Sequence, residues 1–88
     1  MVQQRIVVRN SIGIHSRPAT LIVDLADKYK SNITIAHGER TASAHSMVRL
    51  LALKVKQDNE VLVCAEGEDE AVALAAVVSL VEAKFGED

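Results

Sequence analysis

Apolar and polar positions follow several different rhythms along this chain, and each change of rhythm marks an element. Ile6-Val7-Val8 is a β-branched run, so residues 2–8 read as a first strand, closed by Arg9-Asn10-Ser11. From Pro18 to Lys30 the period is helical. Ala19, Ile22, Ala26 and Tyr29 share one face, Leu25 flanks it, and Asp24, Asp27 and Lys28 lie mostly away from it. Ser31-Asn32 breaks that helix. Ile33-Thr34-Ile35-Ala36 is a second strand and Arg40-Thr41-Ala42-Ser43 a weaker third. His37-Gly38-Glu39-Arg40 between them reads as a tight hairpin, with Gly38 where a positive φ is needed. The third strand has poor β propensity of its own, so its prediction rests on that turn. Ser46 can cap a short helix over residues 47–53, where Met47, Leu50 and Leu51 have helical spacing. Gln57-Asp58-Asn59 is a polar turn. Glu60-Val61-Leu62-Val63-Cys64-Ala65 is apolar on both faces, which predicts a fourth strand in a central position. Gly67-Glu68-Asp69-Glu70 supplies turn, cap and acidic first turn for a last helix over 70–85. Its middle, Ala71 to Val78, is apolar nearly all round, so it is either well buried or leaves a sticky outer face.

The order is βαββαβα. Four strands and three helices in 88 residues predict one α+β domain, residues 1–88, without repeats or linkers. The architecture expected is an open-faced β-sandwich: a four-stranded antiparallel sheet with the three helices on one face. Hydrophobic residues at 49% are enough for a core, but aromatics are only 2%, so Val, Ile, Leu and Ala must build it. That scarcity, with a net charge of −2, argues against a nucleic-acid partner, which calls for stacking platforms or a basic field. The single Cys64 excludes an internal disulfide, fits a reducing compartment and reads as a small buried hydrophobe. His15, His37, His45 and Cys64 lack metal-ligand spacing, and His37 needs no role beyond its turn. No signal peptide or stretch long enough to span a membrane is seen, so a cytoplasmic protein without direct membrane insertion is expected. Nothing calls for a cofactor.

Candidate chemistry concentrates in Gly13-Ile14-His15-Ser16-Arg17-Pro18-Ala19-Thr20. Gly13 lets the backbone bend sharply ahead of a histidine. Pro18 suits a first helical turn, where its missing N–H is not needed. A neutral imidazole is a nucleophile, the free N–H groups of a helix N-terminus bind phosphate oxygens, and Arg17 adds a fork of donors for the same anion. Nucleophile and anion cradle within three residues suggest phosphoryl transfer onto His15. No glycine-rich nucleotide loop or pair of catalytic carboxylates accompanies it.

This stretch resembles the active-site signature of HPr, the histidine phosphocarrier family of the bacterial sugar phosphotransferase system, with Ser16 in place of the usual alanine. The resemblance continues through the lengths of all seven elements, Ser46 and the Gly67 to Glu70 turn. It implies a carrier, not an enzyme: His15 accepts a phosphoryl group from phosphoenolpyruvate-charged enzyme I and hands it to the IIA domains of sugar permeases. It further implies that the group sits on Nδ1, held by the amides of Ser16 and Arg17 with the Arg17 side chain nearby. Met47, Val48 and Leu51, rimmed by Arg17 and Arg49, would join the His15 region as a docking patch, although on their pattern alone Met47, Val48 and Leu51 are ordinary core residues.

Ser46 reads most simply as an N-cap. In regulated members of the family the matching serine is phosphorylated by HPr kinase/phosphorylase and presented to a catabolite-control transcription regulator. Those members usually read Lys-Ser-Ile-Met-Gly, whereas this chain has His45-Ser46-Met47-Val48-Arg49. Two rival readings remain. One is a purely regulatory protein acting through Ser46, which the presence of His15 opposes. The other is a protein-binding domain using the apolar last helix, which leaves Gly13 to Thr20 unexplained.

Overall fold

The structure, a computed structural model, describes residues 1–87. Four antiparallel strands, β1 (Val2–Val7), β2 (Asn32–His37), β3 (Arg40–Ser43) and β4 (Glu60–Glu66), form one sheet in the order β1-β4-β2-β3. The strand predicted central is central. Helices α1 (Ser16–Ala26), α2 (Met47–Ala52) and α3 (Glu70–Glu82) pack on one face, followed by a 3₁₀ turn at Lys84–Gly86. The expected open-faced sandwich and element order are both present.

The core forms because alternate strand residues meet the helical stripes. Ile33, Ile35, Val61, Val63 and Ala65 from the sheet bury against Ala19, Ile22 and Ala26 of α1 and Ala73, Val77 and Val81 of α3. Each buried Val, Leu or Ile side chain is worth about 1.5–3 kcal/mol against leaving it in water. The β2–β3 hairpin pairs His37 with Arg40 and places Gly38 at φ 61°.

Several boundaries differ from the pattern. Helix α1 covers 16–26, not 18–30, so Pro18 occupies its third position. Residues 27–29 unwind through local bonds, Lys28 N–H to the Leu25 carbonyl and Tyr29 N–H to the Ala26 carbonyl, both at 3.1 Å, and tertiary bonds then claim Lys30 and Ser31. Asp69 accepts the Ser31 N–H and hydroxyl at 3.0 and 2.6 Å through one oxygen, and the Lys30 N–H at 2.9 Å through the other. These bonds, the Ser31 hydroxyl first, hold the Asp69 carboxyl below the usual carboxylate range. Helix α3 stops at Glu82, short of 85, because Lys84 and Phe85 adopt left-handed φ of 56° and 55°. Its character is divided: Val77, Val78 and Val81 are buried, while Ala71, Val72 and Ala75 face outward.

Cys64 departs from expectation. It is half-buried on the open sheet face, between Gln3 and Thr34, with Sγ 3.5 Å from Gln3 Oε1. Val61, Val63 and Ala65 take the core side of β4, so strand alternation turns residue 64 outward.

Candidate functional site

The loop between β1 and α1 is anchored at both ends. Val8 donates to the Asn59 carbonyl at 2.9 Å and Ile14 to the Val55 carbonyl at 3.1 Å. Between them Gly13, at φ 75°, lies so close to Val55 and Lys56 that a Cβ there would overlap the Val55 carbonyl oxygen. Buried Ile14 completes the anchor. His15 is therefore set down at a fixed point, as the N-cap residue of α1 in an extended conformation with φ −111°.

The first helical hydrogen bond runs from Ala19 N–H to the His15 carbonyl at 2.9 Å. The N–H groups of Ser16 and Arg17 thus lie at the open end of the helix, unused within it. Ser16 and Arg17 are exposed, and the His15 side chain is one-third exposed. A helix start with two free N–H groups, a guanidinium beside it and an accessible imidazole is competent to hold a phosphoryl group.

One functional group was not visible in the sequence. The Glu87 carboxylate lies 3.1 Å from His15 Nε2 and accepts from Asn10 Nδ2 at 2.8 Å. Asn10, fully buried, also donates to the Gly13 carbonyl at 2.7 Å. A carboxylate opposite Nε2 selects the tautomer with the proton on that nitrogen, leaving Nδ1, which has no partner among the described residues, as the lone-pair nitrogen. The His15 hydrogen bond, then Asn10, and more weakly the Arg17 charge, hold the Glu87 carboxyl below the usual range. Phe85, buried in the core, ties this tail down.

Helix α2 lies beside α1, joined where the Thr20 hydroxyl meets Met47 Sδ at 3.6 Å. Its residues divide by face. Leu50 is buried and Leu51 half-buried, whereas Val48 is 78% exposed and Met47 and Arg49 lie on the surface. Ile12, in the loop ahead of His15, is also exposed and was missed in the sequence. Ser46 is the N-cap of α2, accepting from the Arg49 N–H at 3.3 Å. His45 Nδ1 sits 2.8 Å from the Asp27 carboxylate, and His37 Nδ1 2.8 Å from the Leu53 carbonyl, so neither histidine is idle. Among the described residues no His, Cys, Asp and Glu cluster could hold a metal, and no helix is long and apolar enough to cross a membrane.

An accessible imidazole at a helix N-terminus thus stands on an open-faced sandwich, the fold shared with solved structures of the phosphocarrier HPr. The chain belongs to the PTS-HPr family, whose description, "PTS HPr component phosphorylation site", matches residues 2–83. It is 36% identical to the phosphocarrier protein NPr of Shewanella violacea, over 98% of this chain and 94% of that one. It is 37% identical to the phosphocarrier protein HPr of Borreliella burgdorferi, over 93% and 95% respectively. Among solved structures, HPr from Thermoanaerobacter tengcongensis is 40% identical and superposes with a TM-score of 0.95, covering 100% of this chain and 99% of that one. The protein is thus a phosphocarrier of the phosphotransferase type rather than an enzyme.

Proposed function

We propose that His15 is the acceptor through which this carrier takes a phosphoryl group from phosphoenolpyruvate-charged enzyme I and delivers it to IIA domains of sugar permeases, in the cytoplasm. The observation that carries this reading is the orientation of His15, with Nε2 against Glu87 and Nδ1 left over at the start of α1. The Nδ1 lone pair forms the new N–P bond as the bond to the donor breaks. The ring then gains positive charge, which the Glu87 carboxylate offsets from the Nε2 side, while the amides of Ser16 and Arg17 and the Arg17 guanidinium take the phosphoryl oxygens. Handover runs the same steps backwards. His15 has one-third of its side chain exposed, which suits a group completed by a partner's residues.

Met47, Val48 and Arg49, with Ile12, are the surface offered to partners; Leu51 supports it from half-buried depth. Near-equal identity to HPr and NPr sequences leaves the carrier role as their common ground. The test is His15→Ala. The variant keeps its fold, since His15 lies outside the buried core, and loses enzyme I-dependent labelling from phosphoenolpyruvate. Persistent acid-labile phosphate in that variant refutes the assignment.

Regulation at Ser46 is the second part of the proposal. A phosphate on Ser46 would sit at the start of α2, where it suits the helix and adds charge beside Met47 and Val48. Incubation with ATP and HPr kinase/phosphorylase should then yield phosphoserine at Ser46 and weaken enzyme I docking. A spectrum without phosphoserine removes this part and leaves the His15 assignment standing.

A further inference from the structure

Away from His15, two arginines without a carboxylate partner among the described residues line a trough between the β2–β3 hairpin and the end of α2. One hollow, of about 370 Å³, is walled by Arg40, Arg49 and Thr41 over Ala52 and Leu53. A second, of about 620 Å³, adjoins it through the shared Arg40 and Leu53 and adds His37, Glu39 and Lys54. Both volumes fall in the size range of small-molecule sites.

The charge is divided between the two. Arg40 and Arg49 have no carboxylate partner among the described residues, although the chain as a whole carries a net charge of −2. Arg40 donates from Nη1 to the Ala52 carbonyl at 3.0 Å. That bond caps the end of α2, yet uses one N–H of a guanidinium that has several. It also fixes the planar group in place, so little further freedom is lost when an anion binds. Besides the shared Arg40, the second hollow has one charged residue of each sign in its lining, Lys54 and Glu39. There the Leu53 carbonyl accepts from His37 Nδ1 at 2.8 Å, which places the proton on Nδ1 and leaves Nε2 as an acceptor. One hollow is therefore built for a dianion and its neighbour for hydroxyl groups.

We infer that this trough binds a small phosphate monoester with a hydroxylated body, a phosphorylated sugar, with the phosphate on Arg40 and Arg49 and hydroxyls towards Thr41 and His37. The inference does not depend on the carrier reading, because binding is read directly. The test is a titration of the ¹⁵N-labelled protein with glucose 6-phosphate at fixed ionic strength. Saturable shifts confined to His37, Arg40, Thr41, Arg49, Ala52 and Leu53 are expected, with at least tenfold weaker binding in Arg40→Gln and in Arg49→Gln. Arg9→Gln, a surface change outside the trough, should bind as the parent does. Inorganic phosphate should bind more weakly and glucose not at all. Shifts that never saturate, that centre on Arg17, or that weaken equally in Arg9→Gln overturn the inference, as does equal affinity for inorganic phosphate. Because Arg49 alone leaves the Arg40 cap intact, its variant keeps the test valid should Arg40→Gln unfold.

Discussion

Replacing Gly13 by alanine isolates the contact that sets His15 in place. Two costs combine there. The left-handed φ of 75° disfavours any side chain, by about 1 kcal/mol once the lower entropy of the unfolded alanine chain is counted. The new Cβ would also overlap the Val55 carbonyl oxygen and come within 2.7 Å of Lys56 Cα, where ordinary contact begins near 3.4 Å. Both are backbone atoms and cannot rotate aside, so overpacking adds about 1–3 kcal/mol. Gly38→Ala is the internal control: its φ is 61° but nothing lies within 4 Å. It carries only the first cost. Urea unfolding should therefore give a loss of about 2–4 kcal/mol for Gly13→Ala and about 1 kcal/mol for Gly38→Ala. Relief of the overlap separates Ile14 from the Val55 carbonyl and displaces His15, so phosphorylation by enzyme I should slow in the first variant alone. Equal losses in the two variants, within about 0.5 kcal/mol, or an unchanged phosphorylation rate in Gly13→Ala, would refute the reasoning.

Phe85→Ala removes a side chain that is 1% exposed, and should cost about 3–4 kcal/mol by thermal or urea unfolding while releasing Glu87 from His15. Glu87→Ala leaves the core intact and should change the His15 tautomer ratio, read from its ring ¹⁵N shifts. Ser46→Ala deletes the cap of a six-residue helix and should cost about 1 kcal/mol in the same unfolding assay. The folded carboxyls of Asp69 and Glu87 are both lowered from ordinary values of 3.8 and 4.5. Their contribution to stability is therefore complete above those values and lost as pH falls through the lowered ones. Acid unfolding curves should flatten below pH 3.8 in Asp69→Asn relative to the parent.

The parts legible in the sequence were those carried by local rhythm. The change from β-branched runs to a helical period fixed the element order, and Gly38 located the hairpin that its weak third strand could not. Misread boundaries share a cause: residues whose partners are distant. Residues 27–31 keep some helical character, yet Ser31 is claimed by Asp69, 38 positions on. Phe85 continues the apolar pattern of α3 but enters the core from a left-handed turn, which no local period announces. Cys64 was assigned to the wrong side because both faces of β4 are apolar, and composition alone does not say which face is covered. His15, Ser16 and Arg17 were singled out because the proposed nucleophile and its proposed cradle are contiguous. Glu87 was not, standing 72 positions from the histidine it faces. The one available signal was Phe85 itself, an aromatic anchor two residues before an acid.

The strand order also bears on how the protein is made. β1 is synthesised before the other strands, but its one neighbour in the sheet among the described residues, β4, follows 53 to 63 positions later, from Val7↔Glu60 to Val2↔Ala65. The β2–β3 hairpin can close on its own, on a timescale of about 1–10 μs. The first strand instead leaves the ribosome without a partner and waits until β4 has followed it. Nascent chains halted before Glu60 clears the exit tunnel should be cut readily by protease at Val2–Val7, and become resistant once β4 has emerged.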